Sequence, residues 1–222
     1  MIWHVWERVR QTSGIARTII ATDDERIRDV AEQFGAEVCM TSSQHPSGTD
    51  RLWEVAQTFP ESQFPWVLNV QGDEPFIEPR YLQAALAGRA HHPQADILTL
   101  VTPLTENQAW QDANIVKVVL SARSQALYFS RAPIPYHRDC PEQPKNVLRH
   151  LGLYLYRRQA LKTFVSLPVS PLEALEKLEQ LRALEAGLSI YAVIVDKAPL
   201  GVDTPDDLLQ IEEFVRTGFP KF

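Results

Sequence analysis

Hydrophobic and polar positions along the first hundred residues alternate between two periods. Ile2, Val5, Trp6 and Val9 recur at three- and four-residue spacing, which predicts an opening helix with one apolar face. TIIAT (18–22) is a short β-rich run ending in Asp23-Asp24. DERIRDVAEQFG (24–35) returns to helical spacing through Ile27, Val30, Ala31 and Phe34, with Asp23 or Asp24 as N-cap and Gly35 as the stop. EVCMT (37–41) predicts a second strand, SSQHPSGTD (42–50) a polar loop, and TDRLWEVAQTF (49–59) a helix starting inside it. WVLNVQ (66–71) predicts a third strand, PRYLQAALAGRA (79–90) a helix with Pro79 in its first turn, and DILTLVTP (96–103) another strand. Strands alternating with helices through short joints predict a parallel sheet with crossover helices. Near-continuous apolar strands fit burial on both faces.

The second half changes period. NIVKVVLSARSQALYFSR (114–131) predicts two strands joined near Ala122-Arg123-Ser124, and HLGLYLY (150–156) a further strand. SPLEALEKLEQLRALEAG (170–187) reads as one long helix, with Leu172, Leu175, Leu178 and Leu181 near one face. Ser170 and Glu173 form a capping box, with Pro171 at the first helical position. IYAVIVD (190–196) predicts a strand and TPDDLLQIEEFVR (204–216) a closing helix capped by Thr204. No repeat, low-complexity tract or linker interrupts the chain. The expectation is a single α/β domain over 1–222, a doubly wound, mostly parallel sheet with a β-rich subregion at 114–157.

Composition narrows the function. The 222 residues carry a net charge of −6, which argues against a general nucleic-acid binder but not against one bound nucleotide. Cys39 and Cys140 are far apart and lack metal-ligand spacing, so no disulfide framework is expected and a reducing cytoplasm fits. No apolar stretch approaches the ~18 residues of a membrane span, and MIWHVWERVR lacks a signal-peptide core.

WVLNVQGDEP (66–75) carries the candidate chemistry. In open α/β sheets, ligands bind at the carboxyl ends of strands. The third strand delivers Asp73 and Glu74 there, and Gly72 lets the backbone turn or approach a ligand. Mg²⁺ takes one or two carboxylates plus substrate phosphates, which suits such a pair. Asp203, in LGVDTPDD (200–207), stands in a similar place between a strand and a helix. An Asp after a strand is also a common turn former, and VDTP a common helix start. The residues alone define a phosphate-handling α/β enzyme.

Seven segments together go further: MTSSQHPSGTDRL (40–52), NVQGDEPFI (69–77), NIVKVVLS (114–121), ALYFSRAPIP (126–135), LRHLGLYLYR (148–157), SPLEALEKLEQLR (170–182) and GVDTPDDL (201–208). In this order and spacing they resemble the CMP-KDO synthetases, the 3-deoxy-manno-octulosonate cytidylyltransferases. The resemblance implies a nucleotide-diphospho-sugar transferase-like fold. It implies transfer of CMP from CTP to the sugar acid KDO with release of pyrophosphate, for lipopolysaccharide assembly. By the same match, Asp73 is the principal Mg²⁺ ligand and Asp203 the second, both at the catalytic centre. Ser47, Thr49 and Arg51 belong to the nucleotide pocket. Gln71, Arg138, His150, Tyr154, Glu179 and Gln180 hold the sugar. A cytoplasmic homodimer joined through the β-rich half is implied as well. Taken alone, His150 reads as a structural histidine and Tyr154 as core packing with its hydroxyl at the rim; the resemblance favours function for His150 and Glu179 and leaves Tyr154 evenly balanced, while Glu173 and Glu176 read as solvated. The anomeric hydroxyl of KDO would attack the α-phosphorus, a reaction catalysed by positioning and charge neutralisation. No Ser–His–Asp or Cys–His arrangement offers a covalent nucleophile.

Members of that family begin with an apolar strand and a P-A-R-x-x-S-x-R-x-P-x-K loop that wraps the triphosphate, whereas MIWHVWERVR matches the helix after it. The expectation is a gap inside the sheet rather than a trimmed edge, and weak CTP binding by residues 1–222 alone. A CMP-N-acylneuraminate-type enzyme and a non-catalytic relative are the competing readings; SPLEALEKLEQLR and HPSGTDR favour KDO.

Overall fold

The computed structural model describes residues 1–104, 107–139 and 146–197. Helix α1 (Ile2–Arg10) buries Val5 and Val9. Strand β1 (Ile19–Thr22) leads through the N-cap Asp24, which accepts from Arg26 N, into α2 (Glu25–Gln33). Gly35 ends that helix at φ +81°, a conformation only glycine adopts cheaply. β2 (Glu37–Met40) follows, then α3 (Gly48–Ala56), β3 (Trp66–Asn69), α4 (Pro79–His91) and β4 (Ile97–Pro103). A short helix, α5 (Asn107–Gln111), precedes the hairpin of β5 (Lys117–Leu120) and β6 (Ala126–Ser130), whose turn places Ser124 at φ +64°. β7 (Leu148–Arg157) runs directly into α6 (Arg158–Ser166). α7 (Pro171–Glu176), α8 (Gln180–Glu185) and β8 (Ile190–Ile194) complete the described elements.

The strands form two sheets. β1 and β2 pair in parallel as a two-stranded sheet, and the other six are ordered β6-β5-β7-β4-β8, with β3 on β7. The expected interruption thus falls between β1 and β3. α3 packs on both of these strands. α1 spans the same division: Ile2 and Trp6 join the cluster around Ile20 and Ala31, while Val5 and Val9 join that around Tyr81, Leu100 and Leu151.

The sheet is mixed, not mostly parallel. β4 and β8 are parallel, but β7 runs antiparallel to β3, β4 and β5. An apolar run such as LRHLGLYLYR reports burial on both faces and is silent on direction. The predicted helix over 170–187 is also two helices. Lys177 takes a left-handed conformation at φ +54°, and the break turns Leu178 into the core while Leu175 stays 79% exposed. The capping box of Ser170 and Glu173 forms as expected. On α2, Ala31 is buried but Ile27 and Val30 are largely exposed, because a two-stranded sheet offers too narrow a surface to cover the stripe. Asp203, Cys140 and the closing helix expected at 204–216 lie outside the described residues.

Candidate active site

β3 ends at Asn69, opposite Tyr154 of β7, so the segment after it runs beside the His150 end of β7. Val70 and Gln71 border a small cleft there with Leu151, Gly152 and Leu153. A tight turn, with Ile77 N donating to Glu74 O at 3.0 Å, anchors the segment through buried Pro75, Phe76 and Ile77. Gln71, Gly72 and Asp73 are exposed. Among the described residues no hydrogen bond or ion pair engages the Asp73 carboxylate, so its oxygens are free to face a hard cation. Its oxygen chemistry and open position fit Mg²⁺. Among the described residues no cluster of three or more His, Cys, Asp or Glu gathers.

The 42–50 loop is tied down by its own side chains. Ser47 caps α3, accepting from Asp50 N at 3.3 Å and donating to Asp50 Oδ2 at 2.6 Å. His45 pairs with Glu54, which also accepts from Ser42 N at 3.0 Å. Arg51 bonds to Thr41 and forms an ion pair of 3.1 Å with Asp23 at the tip of β1. Thr49 turns inward: it is buried, and its hydroxyl donates to Glu179 Oε1 at 2.6 Å.

His150, Tyr154 and Glu179 come together on the face of the sheet covered by α3, α6 and α8. The His150 and Tyr154 rings lie 5.3 Å apart, and those of Tyr154 and Tyr156 5.8 Å apart. Burial, with Arg149 adding to it, lowers the His150 imidazole to about 3, so the ring is neutral. Burial also pushes the Tyr154 and Tyr156 phenols and the Glu179 carboxyl upward; the Thr49 bond and Arg182 pull Glu179 partly back. Gln180 is buried beside Glu179 at the start of α8. Arg138 is exposed on the loop after β6, and no hydrogen bond joins it to this group among the described residues.

Several contributors escaped the sequence reading. Tyr156 touches Thr49 and the Tyr154 ring; its i, i+2 spacing from Tyr154 was the available signal. Glu176, expected to be solvated, accepts from Ser130 Oγ at 2.5 Å and Arg131 N at 2.9 Å, joining α7 to β6. Glu173 likewise pairs with nearly buried Arg182 at 2.9 Å.

An exposed carboxylate therefore stands beyond the tip of β3, and a buried polar group is centred on β7, the strand that pairs with it. The cytidylyltransferase family model matches residues 1–190, which sets the class. A curated 3-deoxy-manno-octulosonate cytidylyltransferase of Syntrophotalea carbinolica is 50% identical over 97% of this chain and 88% of its own. That of Solibacter usitatus is 43% identical over 97% and 84%. The solved CMP:2-keto-3-deoxy-manno-octonic acid synthetase complexed with CTP superposes with a TM-score of 0.90, at 39% identity over 97% of this chain and 87% of that one. The chain belongs to the 3-deoxy-manno-octulosonate cytidylyltransferase family. A 4-diphosphocytidyl-2C-methyl-D-erythritol synthase from Anaerococcus prevotii, 9% identical with a TM-score of 0.63 over 97% of this chain and 89% of that one, shares the fold alone.

Proposed function

We propose that this protein transfers CMP from CTP to KDO. The observation that carries the reading is the placement of Asp73 at the β3 tip, where β3 meets the strand that bears His150 and Tyr154. In the reaction, the anomeric oxygen of KDO bonds to the α-phosphorus, the α–β anhydride breaks, pyrophosphate leaves, and the hydroxyl proton passes to water. Asp73, with Asp203, would hold Mg²⁺, which when bound neutralises triphosphate charge and orients the phosphates. Arg51, Ser47 and Thr49 order the loop over the nucleotide, and Gln71, His150, Tyr154, Glu179 and Gln180 orient the sugar acid. Orientation is the chief contribution a protein makes to such a displacement. Arg138 is read as a sugar contact on family resemblance alone.

The product supplies activated KDO for lipopolysaccharide. A cytoplasmic homodimer, joined through the β5–β6 half, completes the reading on family resemblance. Mass spectrometry of a reaction containing CTP, KDO and Mg²⁺ tests it. CMP-KDO is expected. Its absence, or a CMP adduct formed only with N-acylneuraminate, would refute the assignment.

A further inference from the structure

Thr99 on β4 is completely buried, yet its hydroxyl has three polar neighbours. Oγ1 lies 2.9 Å from His150 Nε2, 2.8 Å from Leu153 O and 3.2 Å from Leu151 O. The carbonyls are available because the strands slip in register. Thr99 faces Tyr154 whereas Leu100 faces Leu151, which leaves Gly152 and Leu153 unmatched on β4.

A hydroxyl has one proton to give and two lone pairs. Carbonyl oxygens only accept, so that proton goes to Leu153 O, with Leu151 O beside it. The bond to His150 must then run the other way, with Nε2–H donating to Oγ1. The opposite assignment would set two buried carbonyl oxygens against hydroxyl lone pairs with no proton between them.

We propose that Thr99 is a positioning residue that holds His150 as the Nε2–H tautomer, so that Nδ1 presents a lone pair to a hydroxyl of the sugar acid and not to its carboxylate. The inference rests on the reading of His150 as a sugar contact. Phe129, edge-on at 5.0 Å, and Tyr154 hold the ring in this orientation. Among the described residues no hydrogen bond engages Nδ1, and the residue is 8% exposed. A neutral imidazole offering only a lone pair repels a carboxylate and accepts from a hydroxyl. His150 therefore selects for the polyhydroxyl body of the substrate, leaving its acid group to cationic partners.

Long-range ¹H–¹⁵N correlation spectra of histidine-labelled protein test this, with His150→Gln assigning the signal. The expected ring is protonated at Nε2, does not titrate between about pH 5 and 8, and shifts at Nδ1 when KDO is added. Thr99→Val should raise KM for KDO about tenfold while KM for CTP stays within about twofold, and Thr99→Ser should restore it. A wild-type ring protonated at Nδ1 overturns the proposal even if no Thr99 variant folds. So does an unchanged KM for KDO in a folded Thr99→Val when His150→Gln raises it. A ring protonated at Nε2 with an unchanged KM in His150→Gln overturns instead the placing of His150 at the sugar.

Discussion

The Thr49 hydroxyl donates to Glu179 Oε1 at 2.6 Å, joining residues 130 positions apart. One belongs to the loop assigned to the nucleotide and the other to the group assigned to the sugar. Thr49 is only 1% exposed, so in the loop proposed for the nucleotide its part would be to hold the loop, not to touch the base. Tyr156 reaches the same hydroxyl. Loss of the bond leaves a buried carboxyl without its donor, at a cost of about 1–3 kcal/mol. Thr49→Val should therefore lower stability by that amount and raise KM for both CTP and KDO, and Thr49→Ser should recover both. Urea unfolding and steady-state kinetics check this; a change confined to CTP would show that the two halves are not linked here.

Glu179 gives a pH signature. Burial raises its pKa in the folded protein above the ordinary carboxylate value. Between the unfolded and the folded value the native state binds more protons, so stability falls as pH rises. The contribution is complete below the unfolded value and is lost once pH passes the raised folded one. Glu179→Gln keeps an acceptor for Thr49 and removes the charge. It should match wild type near pH 4, be more stable at pH 7, and show a higher KM for KDO. Urea unfolding of both proteins across that range decides the sign; a variant that loses stability relative to wild type as pH rises would contradict the burial argument.

Lys117 is buried completely, and its Nζ donates to Asp112 O at 2.7 Å, Ile115 O at 2.6 Å and Arg131 O at 2.6 Å. All three ammonium protons are satisfied by backbone, so the side chain fixes both ends of the β5–β6 hairpin. Lys117→Met strands three carbonyls and should cost about 3 kcal/mol or more in urea unfolding. A loss under about 1 kcal/mol would place the ammonium at the surface instead.

Local structure in the first half was legible because short-range chemistry controls it. Asp24 caps, Gly35 stops, and the strands between them are β-rich runs. The Asp73 turn was legible too, since Gly72 and Pro75 punctuate it. What stayed hidden depends on long-range pairing. The direction of β7 is set by its neighbours, not by its own residues. α6 follows β7 with no loop between them, and Arg157 at its N-cap makes no side-chain capping bond, so only the polar Arg157-Arg158-Gln159 marks the change of period. Three-residue spacing of leucines over 172–181 suggested one helix, yet that stripe drifts around a 3.6-residue turn, and the chain breaks at Lys177 to bury Leu178 and Leu181. Thr99 reads as an ordinary β-former within an apolar run. Its role exists only because the β4–β7 register slips beside it.

The central claim is metal-assisted CMP transfer to KDO at the β3 tip, and pyrophosphate release is its most direct measure. Rates should be followed with CTP, Mg²⁺ and either KDO or N-acetylneuraminate, for wild type and Asp73→Asn. Asp73 is exposed and makes no structural bond among the described residues, so the variant should unfold within about 0.5 kcal/mol of wild type. The account predicts release that requires both CTP and KDO, little with N-acetylneuraminate, and a loss of at least about 10–100-fold in Asp73→Asn. Equal rates with the two sugar acids, or an Asp73→Asn variant that keeps near-wild-type turnover at saturating Mg²⁺, would contradict it.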